Sequence, residues 1–215
     1  MVIAAVVVET GDVRQARLGM RSALLPGQRR LHLTDERPAR RHLILDLVAR
    51  QALVAIAEAA PTHGRRHAQV QDELPRKVVR RVAASGARRI VLDRVAEELL
   101  EADRATISRA LAGVAPDVLY DHLPSTADPL LWAADAVAWA VGAGGHAAAR
   151  LAPIMRAPDA QHPAAPRPGS QPGALPTPTG VSDASMTCRR QVRQRPSARH
   201  PRWTPTIPGR GRWHW

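Results

Sequence analysis

Continuous apolar runs and helical spacings of apolar residues alternate along the first two thirds of the chain. Val2–Glu9 (VIAAVVVE) is apolar up to Glu9, and residues 52–59 (ALVAIAEA) are apolar except for Glu58; both are typical of strands covered on both faces. The pattern predicts two further strands at 88–94 and 117–123. It also predicts helices over residues 12–25, 37–51, the second half of 65–85, 102–111, 128–141 and 146–155. Strands separated by helices predict an α/β fold with a largely parallel sheet.

Residues that favour helix ends support these bounds. Gly86 and the glycine-rich segment 142–145 are expected to terminate the helices before them, and Asp128 is expected to cap the helix that follows it. Pro75 is expected in the first turn of its helix. The segment 142–145 (GAGG) follows a helix instead of a strand, so it is not a dinucleotide-binding loop.

The composition changes near residue 156. Residues 156–215 contain ten Arg, no Lys and two Asp, a net charge of +8 out of +12 for the whole chain, together with eleven Pro and no apolar periodicity. This predicts one domain at 1–155 and a disordered Arg- and Pro-rich tail at 156–215. The tail could bind phosphates, but a GC-rich gene read past a lost stop codon or in a shifted frame gives the same composition, so we assign it no function.

Several protein classes are excluded or disfavoured. The only cysteine, Cys188, lies in the tail, which excludes disulfide frameworks, Cys-based zinc sites and a cysteine nucleophile in the domain. The N-terminal segment lacks the basic start of a secretory signal, and no apolar run reaches membrane-spanning length. We therefore expect a cytoplasmic protein without a membrane partner. Phosphate-binding P-loop and Gly-x-Ser-x-Gly motifs are absent.

Candidate chemistry lies in acids at strand ends and on apolar helices. Asp135 stands at the centre of an apolar helical run, with Trp132 and Trp139 on the same side. A buried carboxylate needs a compensating partner, which is either a hydrogen bond or Arg neighbour, or a metal ion. Asp93 ends the strand RRIVLD, where a parallel sheet delivers catalytic groups, although a turn aspartate also fits. Asp103 follows near a helix start, where capping is the simpler explanation.

The segment LHLTDERP contains a second candidate group. Thr34 or Asp35 can cap the following helix, which explains the acids without chemistry. His32 is not explained by capping. It is either a proton carrier, a metal ligand or a structural histidine with satisfied hydrogen bonds. Glu36 accompanies it at the same junction.

Five segments, taken in order, resemble the actinobacterial branch of the domain of unknown function 3800 family. They are VIAAVVV, LLPGQRRLHLTDE, RRIVLD, DRATISRAL and LLWAADAVAWAVGAGG, within residues 2–155. The resemblance implies a ribonuclease H-like fold, a mixed sheet flanked by helices, and cleavage or rearrangement of nucleic acid with a bound divalent metal. By this resemblance Asp93, Asp135 and Asp103 match metal-binding acids, while His32 and Glu36 match a His-to-Glu segment that we take as catalytic.

The chain departs from that family at its start. Family members usually begin with an earlier strand that carries an Asp-Glu pair and supplies the first metal ligand, whereas here Glu9 and Asp12 fit a turn. Either the start codon is assigned too far downstream, or this chain has lost its first strand. In the second case the sheet is expected to lack a central strand and to bind metal more weakly, because ligand charge is removed. The leading hypothesis is a Mg²⁺- or Mn²⁺-dependent nuclease in which His32 carries protons. The alternative is a non-catalytic relative that at most binds nucleic acid non-specifically through its Arg-rich surface.

Overall fold

The computed structural model describes residues 1–61, 67–156 and 184–191, which form a mixed α/β fold. The elements, in chain order, are β1 Val2–Glu9, α1 Val13–Ser22, α2 Pro38–Ala49, β2 Val54–Ala59, α3 His67–Ala83, β3 Ala87–Asp93, α4 Glu97–Ala112, β4 Leu119–Leu123, α5 Leu130–Ala143, α6 Gly145–Arg150 and β5 Ala184–Gln191. A 3-10 turn follows α6 at Ala152–Ile154. The four strands and six helices predicted from the apolar pattern are confirmed, although α4 begins earlier than residue 102.

The five strands form one sheet in the order β2-β1-β5-β3-β4. β1 runs antiparallel to both β2 and β5, whereas β3 runs parallel to both β5 and β4. The sheet is therefore mixed, and only its β5-β3-β4 half matches the largely parallel arrangement predicted from the alternation of elements.

The central strand β5 lies inside the tail predicted to be disordered. For residues 184–191 the structure gives a strand in place of disorder, because β1 and β3 each offer a row of main-chain donors and acceptors to it. Main-chain pairing needs no apolar periodicity, which is why the pattern did not reveal this strand. β5 fills the central position that the sequence left without a strand, but its residues include no Asp or Glu. Residues 157–183 and 192–215 lie outside the described residues, and their disorder stays a prediction.

Two hydrophobic cores cover the two faces of the sheet, because successive residues of β1 point to opposite sides. Val2, Ala4, Val6 and Val8 pack with α1, α2 and α5, and we call this side the α5 face. Ile3, Ala5 and Val7 pack with α3 and α4 on the other side, the α3–α4 face. Every residue of β1 except its last is buried, as its unbroken apolar run predicts.

Helix α5 is the most deeply buried helix among the described residues, and it packs on β1 and β5. The Asp128 carboxylate accepts a hydrogen bond from the Leu130 N–H at 3.0 Å, which confirms the predicted cap. At the other end, Gly144 adopts a positive φ of 70° and terminates the helix. No helix in the described ranges combines the length and apolar character needed to cross a membrane.

Helix α3 differs from its prediction in one respect. It begins at His67, so Pro75 lies inside the helix and not in its first turn. Val70, Leu74 and Val78 recur at helical spacing and are buried on the α3–α4 face. Burial of this stripe holds the N-terminal part of the helix in place despite the hydrogen bond that proline removes.

Candidate functional site

Two of the residues predicted to carry chemistry, His32 and Asp135, meet where the irregular segment before α2 lies against α5. His32 Nδ1 is 3.0 Å from Asp135 Oδ2, and the Leu33 N–H donates to the same oxygen at 2.9 Å. The Asp135 side chain is 1% exposed and that of His32 is 25% exposed. Of the explanations left open for Asp135, the structure therefore shows a hydrogen-bonded carboxylate.

The 3.0 Å contact ties the tautomer of His32 to the protonation of Asp135. An ionised carboxylate only accepts hydrogen bonds, so with Asp135 in that form Nδ1 donates to it and Nε2 of the neutral ring keeps its lone pair. Nε2 has no hydrogen-bond partner among the described residues. A partly exposed imidazole oriented by a buried aspartate can accept a proton at Nε2, and the aspartate stabilises the cation that results.

Arg41 on α2 holds the same segment from the other side. Its Nε donates to the Leu33 carbonyl at 2.7 Å and its Nη2 to the Thr34 carbonyl at 2.8 Å. The guanidinium also lies 5.1 Å from the ring centroid of Trp139, a cation–π contact. Trp139 is one helical turn after Asp135, so α5 holds the segment through two side chains.

Glu36 has a different environment from the one expected of a catalytic residue. Its buried carboxylate forms an ion pair with Arg40 Nε at 2.6 Å and accepts a hydrogen bond from Gln28 Nε2 at 2.6 Å. Arg40 also donates to the Ala23 carbonyl. Through Arg40, these contacts attach Ala23 and Gln28 before His32, and Glu36 after it, to helix α2. We therefore assign Glu36 a structural role.

The expected capping of α2 by Thr34 or Asp35 is not observed. Arg37 occupies the cap position, and no side chain caps the helix. Pro38 begins the helix, where its missing N–H costs no helical hydrogen bond.

Two arginines that the sequence analysis missed tether the loop between β4 and α5. Arg17 donates to Asp128 through Nε at 3.1 Å and Nη2 at 2.5 Å, and this hydrogen bonding raises the pKa of Arg17. Arg30 Nη1 donates to Ser125 Oγ at 2.9 Å. An acid placed directly before a helix that is apolar except for Asp135 is the signal that could have suggested a basic partner for Asp128.

Asp103 lies away from this group, on the α3–α4 face. Its Oδ2 is 2.9 Å from His122 Nε2, and the His122 side chain is 3% exposed. Because α4 begins at Glu97, Asp103 also lies beyond the first turn, so it is not a helix cap. Asp93 ends β3 half-buried and borders, with Asp103, a cavity of about 30 Å³ that is otherwise lined mainly by apolar residues such as Leu92.

The acids predicted to bind metal therefore do not assemble. In residues 1–61, 67–156 and 184–191, no group of three or more His, Cys, Asp or Glu side chains is arranged to hold a metal ion. The set Asp93, Asp103 and Asp135 fails because Asp103 belongs to the opposite face of the sheet. β5 adds no carboxylate at the centre. These residues do not fit a carboxylate-held metal centre, and Mg²⁺ or Mn²⁺ binding stays a prediction.

Comparison with protein-family models, curated proteins and solved structures gives no match to this chain. Function is therefore inferred from the geometry of the site itself. Its distinctive feature is the contact of His32 with Asp135, which joins a partly exposed base to a buried acid across the face of α5.

Proposed function

We propose that this chain is a phosphodiester hydrolase of ribonuclease H-like fold in which His32, oriented by Asp135, transfers the proton. The observation that carries the proposal is the 3.0 Å contact between His32 Nδ1 and Asp135 Oδ2. Burying a carboxylate in an apolar helix is costly, and the contacts with a backbone N–H and an imidazole offset that cost and orient the ring, as a buried aspartate does in Asp–His catalytic pairs.

The fold supports the proposal at the level of architecture. A five-stranded mixed sheet carries helices on both faces, as the resemblance to ribonuclease H-like proteins implies. The acid that the resemblance places on the C-terminal helix, Asp135, is fully buried on α5, the helix that packs on β1 and β5 of this sheet.

In the proposed reaction, a water molecule attacks the phosphorus atom while Nε2 of His32 accepts its proton. The new P–O bond forms as the bond to the leaving oxygen breaks, and the imidazolium returns its proton to that oxygen. Such general acid–base catalysis contributes about 10²- to 10⁴-fold. Arg29 and Arg30, exposed on the same segment as His32, supply positive charge for the phosphate. No step is assigned to a metal ion.

The test uses labelled single-stranded RNA, single-stranded DNA and an RNA–DNA hybrid with the full chain. His32→Gln and Asp135→Asn should each lower the rate of cleavage by about 100-fold or more. His42→Gln, an exposed histidine on α2, is the matched control and should keep full activity. Cleavage by His32→Gln at the unaltered rate would refute the proposal.

The metal expectation is tested separately in the same assay. Parallel reactions in Mg²⁺, Mn²⁺ and EDTA, with calorimetric titration of Mn²⁺ into the protein and into Asp93→Asn, measure both dependence and binding. Cleavage that persists in EDTA without Mn²⁺ binding would end the metal prediction and leave the role of His32 intact. Mn²⁺ binding by the wild-type chain that is lost in Asp93→Asn would support the metal prediction.

A second function, non-catalytic binding of nucleic acid, is favoured by one observation. The central strand carries Arg189 and Arg190 and no acid, in a chain of net charge +12. This function predicts sequence-independent binding that weakens steeply with salt. Removing everything after Met155 would also remove β5, so the sharper test replaces Arg193, Arg195, Arg199 and Arg202 by Gln. A shallower salt dependence with retained folding would support binding through the tail.

A further inference from the structure

The site around His32 combines a base with positive charge. Asp135 holds Nδ1 of the ring, and the side chain is 25% exposed, so Nε2 is the nitrogen available to a bound molecule. Residues 28–41, which run from the segment before α2 into its first turn, contain five Arg and two acids, a net charge of +3. Such a surface attracts the anionic phosphates of a nucleic acid.

Part of this positive charge is fixed in place beside the base. Arg30, two residues before His32, donates from Nη1 to the hydroxyl of the buried Ser125 at 2.9 Å. Of the two acids in the segment, Glu36 is paired with Arg40, so its charge is compensated locally. The guanidinium of Arg30 therefore remains close to the imidazole, where it can bind a phosphate oxygen.

The acids of the domain do not add a second catalytic component to this site. Asp135 orients His32, and Asp103 pairs with His122 on the other face of the sheet. Within residues 1–61, 67–156 and 184–191, no group of three or more His, Cys, Asp or Glu side chains is arranged to hold a metal ion that would activate a water molecule. A proton acceptor and a cationic surface are enough, however, when the substrate supplies its own nucleophile.

RNA carries such a nucleophile, because each ribose has a 2′-hydroxyl next to the phosphorus atom. An intramolecular nucleophile that is well oriented reaches an effective concentration of about 10⁵–10⁸ M. DNA lacks this group. A duplex restrains the backbone, whereas a single strand can bring the 2′ oxygen into line with the bond to the 5′ oxygen that must break. The site therefore suits single-stranded RNA better than DNA or a duplex.

We propose that the substrate is single-stranded RNA and that His32 takes the proton of the 2′-hydroxyl beside the scissile phosphate, an inference that rests on the proposed function. The bond from the 2′ oxygen to phosphorus forms as the bond to the 5′ oxygen breaks, and the imidazolium returns its proton through solvent to the 5′ oxygen. The products are a 2′,3′-cyclic phosphate and a 5′-hydroxyl. The water attack described above then breaks the bond from phosphorus to the 2′ oxygen and leaves a 3′-phosphate, so the two steps together are a hydrolysis.

The test uses one nucleotide sequence in four forms: RNA, DNA, fully 2′-O-methylated RNA, and DNA with a single ribonucleotide at its centre. Each form is incubated with the full chain, with His32→Gln and with the control His42→Gln, all purified in the same way so that a contaminating ribonuclease would act in all three samples. Denaturing gels give the rates. Mass spectrometry identifies the ends, because a cyclic phosphate is lighter than a 3′-phosphate by one water molecule.

We expect the full chain and His42→Gln to cleave RNA, with the cyclic phosphate as the first product. The DNA and the methylated RNA should be cleaved at least about 100-fold more slowly, and the mixed strand only after its ribonucleotide. If cleavage that depends on His32 is equally fast on DNA, or leaves 5′-phosphate ends on RNA, the inference is overturned and the proposed function stands. If no form shows cleavage that depends on His32, the proposed function fails and the inference fails with it.

Discussion

Asp135 and Trp139, one turn apart on α5, both hold the main chain of Leu33, Asp135 directly and Trp139 through Arg41. Asp135 accepts the Leu33 N–H, and Arg41, stacked on Trp139, donates to the Leu33 carbonyl. The backbone beside His32 is thereby fixed to the helix that carries its partner. The orientation of the His32 imidazole therefore depends on both attachments of Leu33.

Replacing Asp135 should separate its structural role from its chemical one. In Asp135→Ala the buried Leu33 N–H loses its acceptor, and we expect a loss of about 1–3 kcal/mol in the free energy of unfolding. Asp135→Asn keeps an acceptor oxygen and should lose less than the alanine variant, although both should lose activity. Urea denaturation measures the difference, with the exposed Asp35→Ala as control. Equal destabilisation by both variants would show that the N–H contact is unimportant.

The pair formed by Arg17 and Asp128 predicts a dependence on pH. The pKa of Arg17 is raised in the folded protein by its hydrogen bond to Asp128, so the stabilisation is fully present below the arginine pKa of the unfolded chain and is lost only as the pH rises through the higher pKa of the folded protein. Arg17→Lys loses the bidentate hydrogen bonding to Asp128 and should lower the free energy of unfolding by about 1 kcal/mol at pH 7. This value is modest because Arg17 is partly exposed.

The deficit of Arg17→Lys should then grow as the pH rises past about 10, because lysine releases its proton there and arginine does not. Chemical denaturation of the wild type and the variant across pH 7 to about 11 measures this. Arg14→Lys, exposed on the same helix, is the control and should show no growing deficit. A constant difference at all pH values would contradict the prediction.

Removal of the Arg41 side chain should loosen the His32 segment without unfolding the domain. Arg41→Ala deletes two hydrogen bonds to carbonyls and the contact with Trp139. We expect amide exchange in residues 28–36 to accelerate about tenfold, which corresponds to about 1.4 kcal/mol of local stability. Hydrogen-exchange mass spectrometry measures it, and Arg37→Ala, exposed nearby, serves as control. Faster exchange throughout the sheet would indicate global destabilisation instead.

Asp103 should matter for stability and not for catalysis. Asp103→Asn weakens the partner of a buried imidazole, so we expect a loss of about 1 kcal/mol, measured by thermal or urea unfolding. Cleavage of nucleic acid should be unchanged, because Asp103 lies on the face opposite Asp135. Loss of activity at unchanged stability would return Asp103 to the active site, as the family resemblance implies.

The local elements could be predicted from the sequence because their signals are local. The apolar run of β1 and the helical stripe of α5 each report burial within a few residues, and the structure buries both. The apolar pattern does not locate the first residue of a helix as well. Helix α4 begins at Glu97 and not at residue 102, which places Asp103 inside the helix instead of at its cap.

The site could be predicted only in part, because its contacts are not local. His32 and Asp135 were both singled out, yet 103 positions separate them, and no spacing rule connects them. Arg17 and Asp128 are 111 positions apart. β5 escaped prediction for a related reason: the two neighbouring strands, and not its own apolar pattern, define it as a strand.

The place of β5 in the sheet also sets the order in which the molecule can be completed. Glu9 leaves the ribosome early, yet its partner Ala184 is synthesised only after all the other described elements. Until then β1 and β3 remain as exposed edges of a nascent chain, open to aggregation and to chaperones. The long sequence separation of these pairs predicts slow folding that finishes only after residue 191 has emerged.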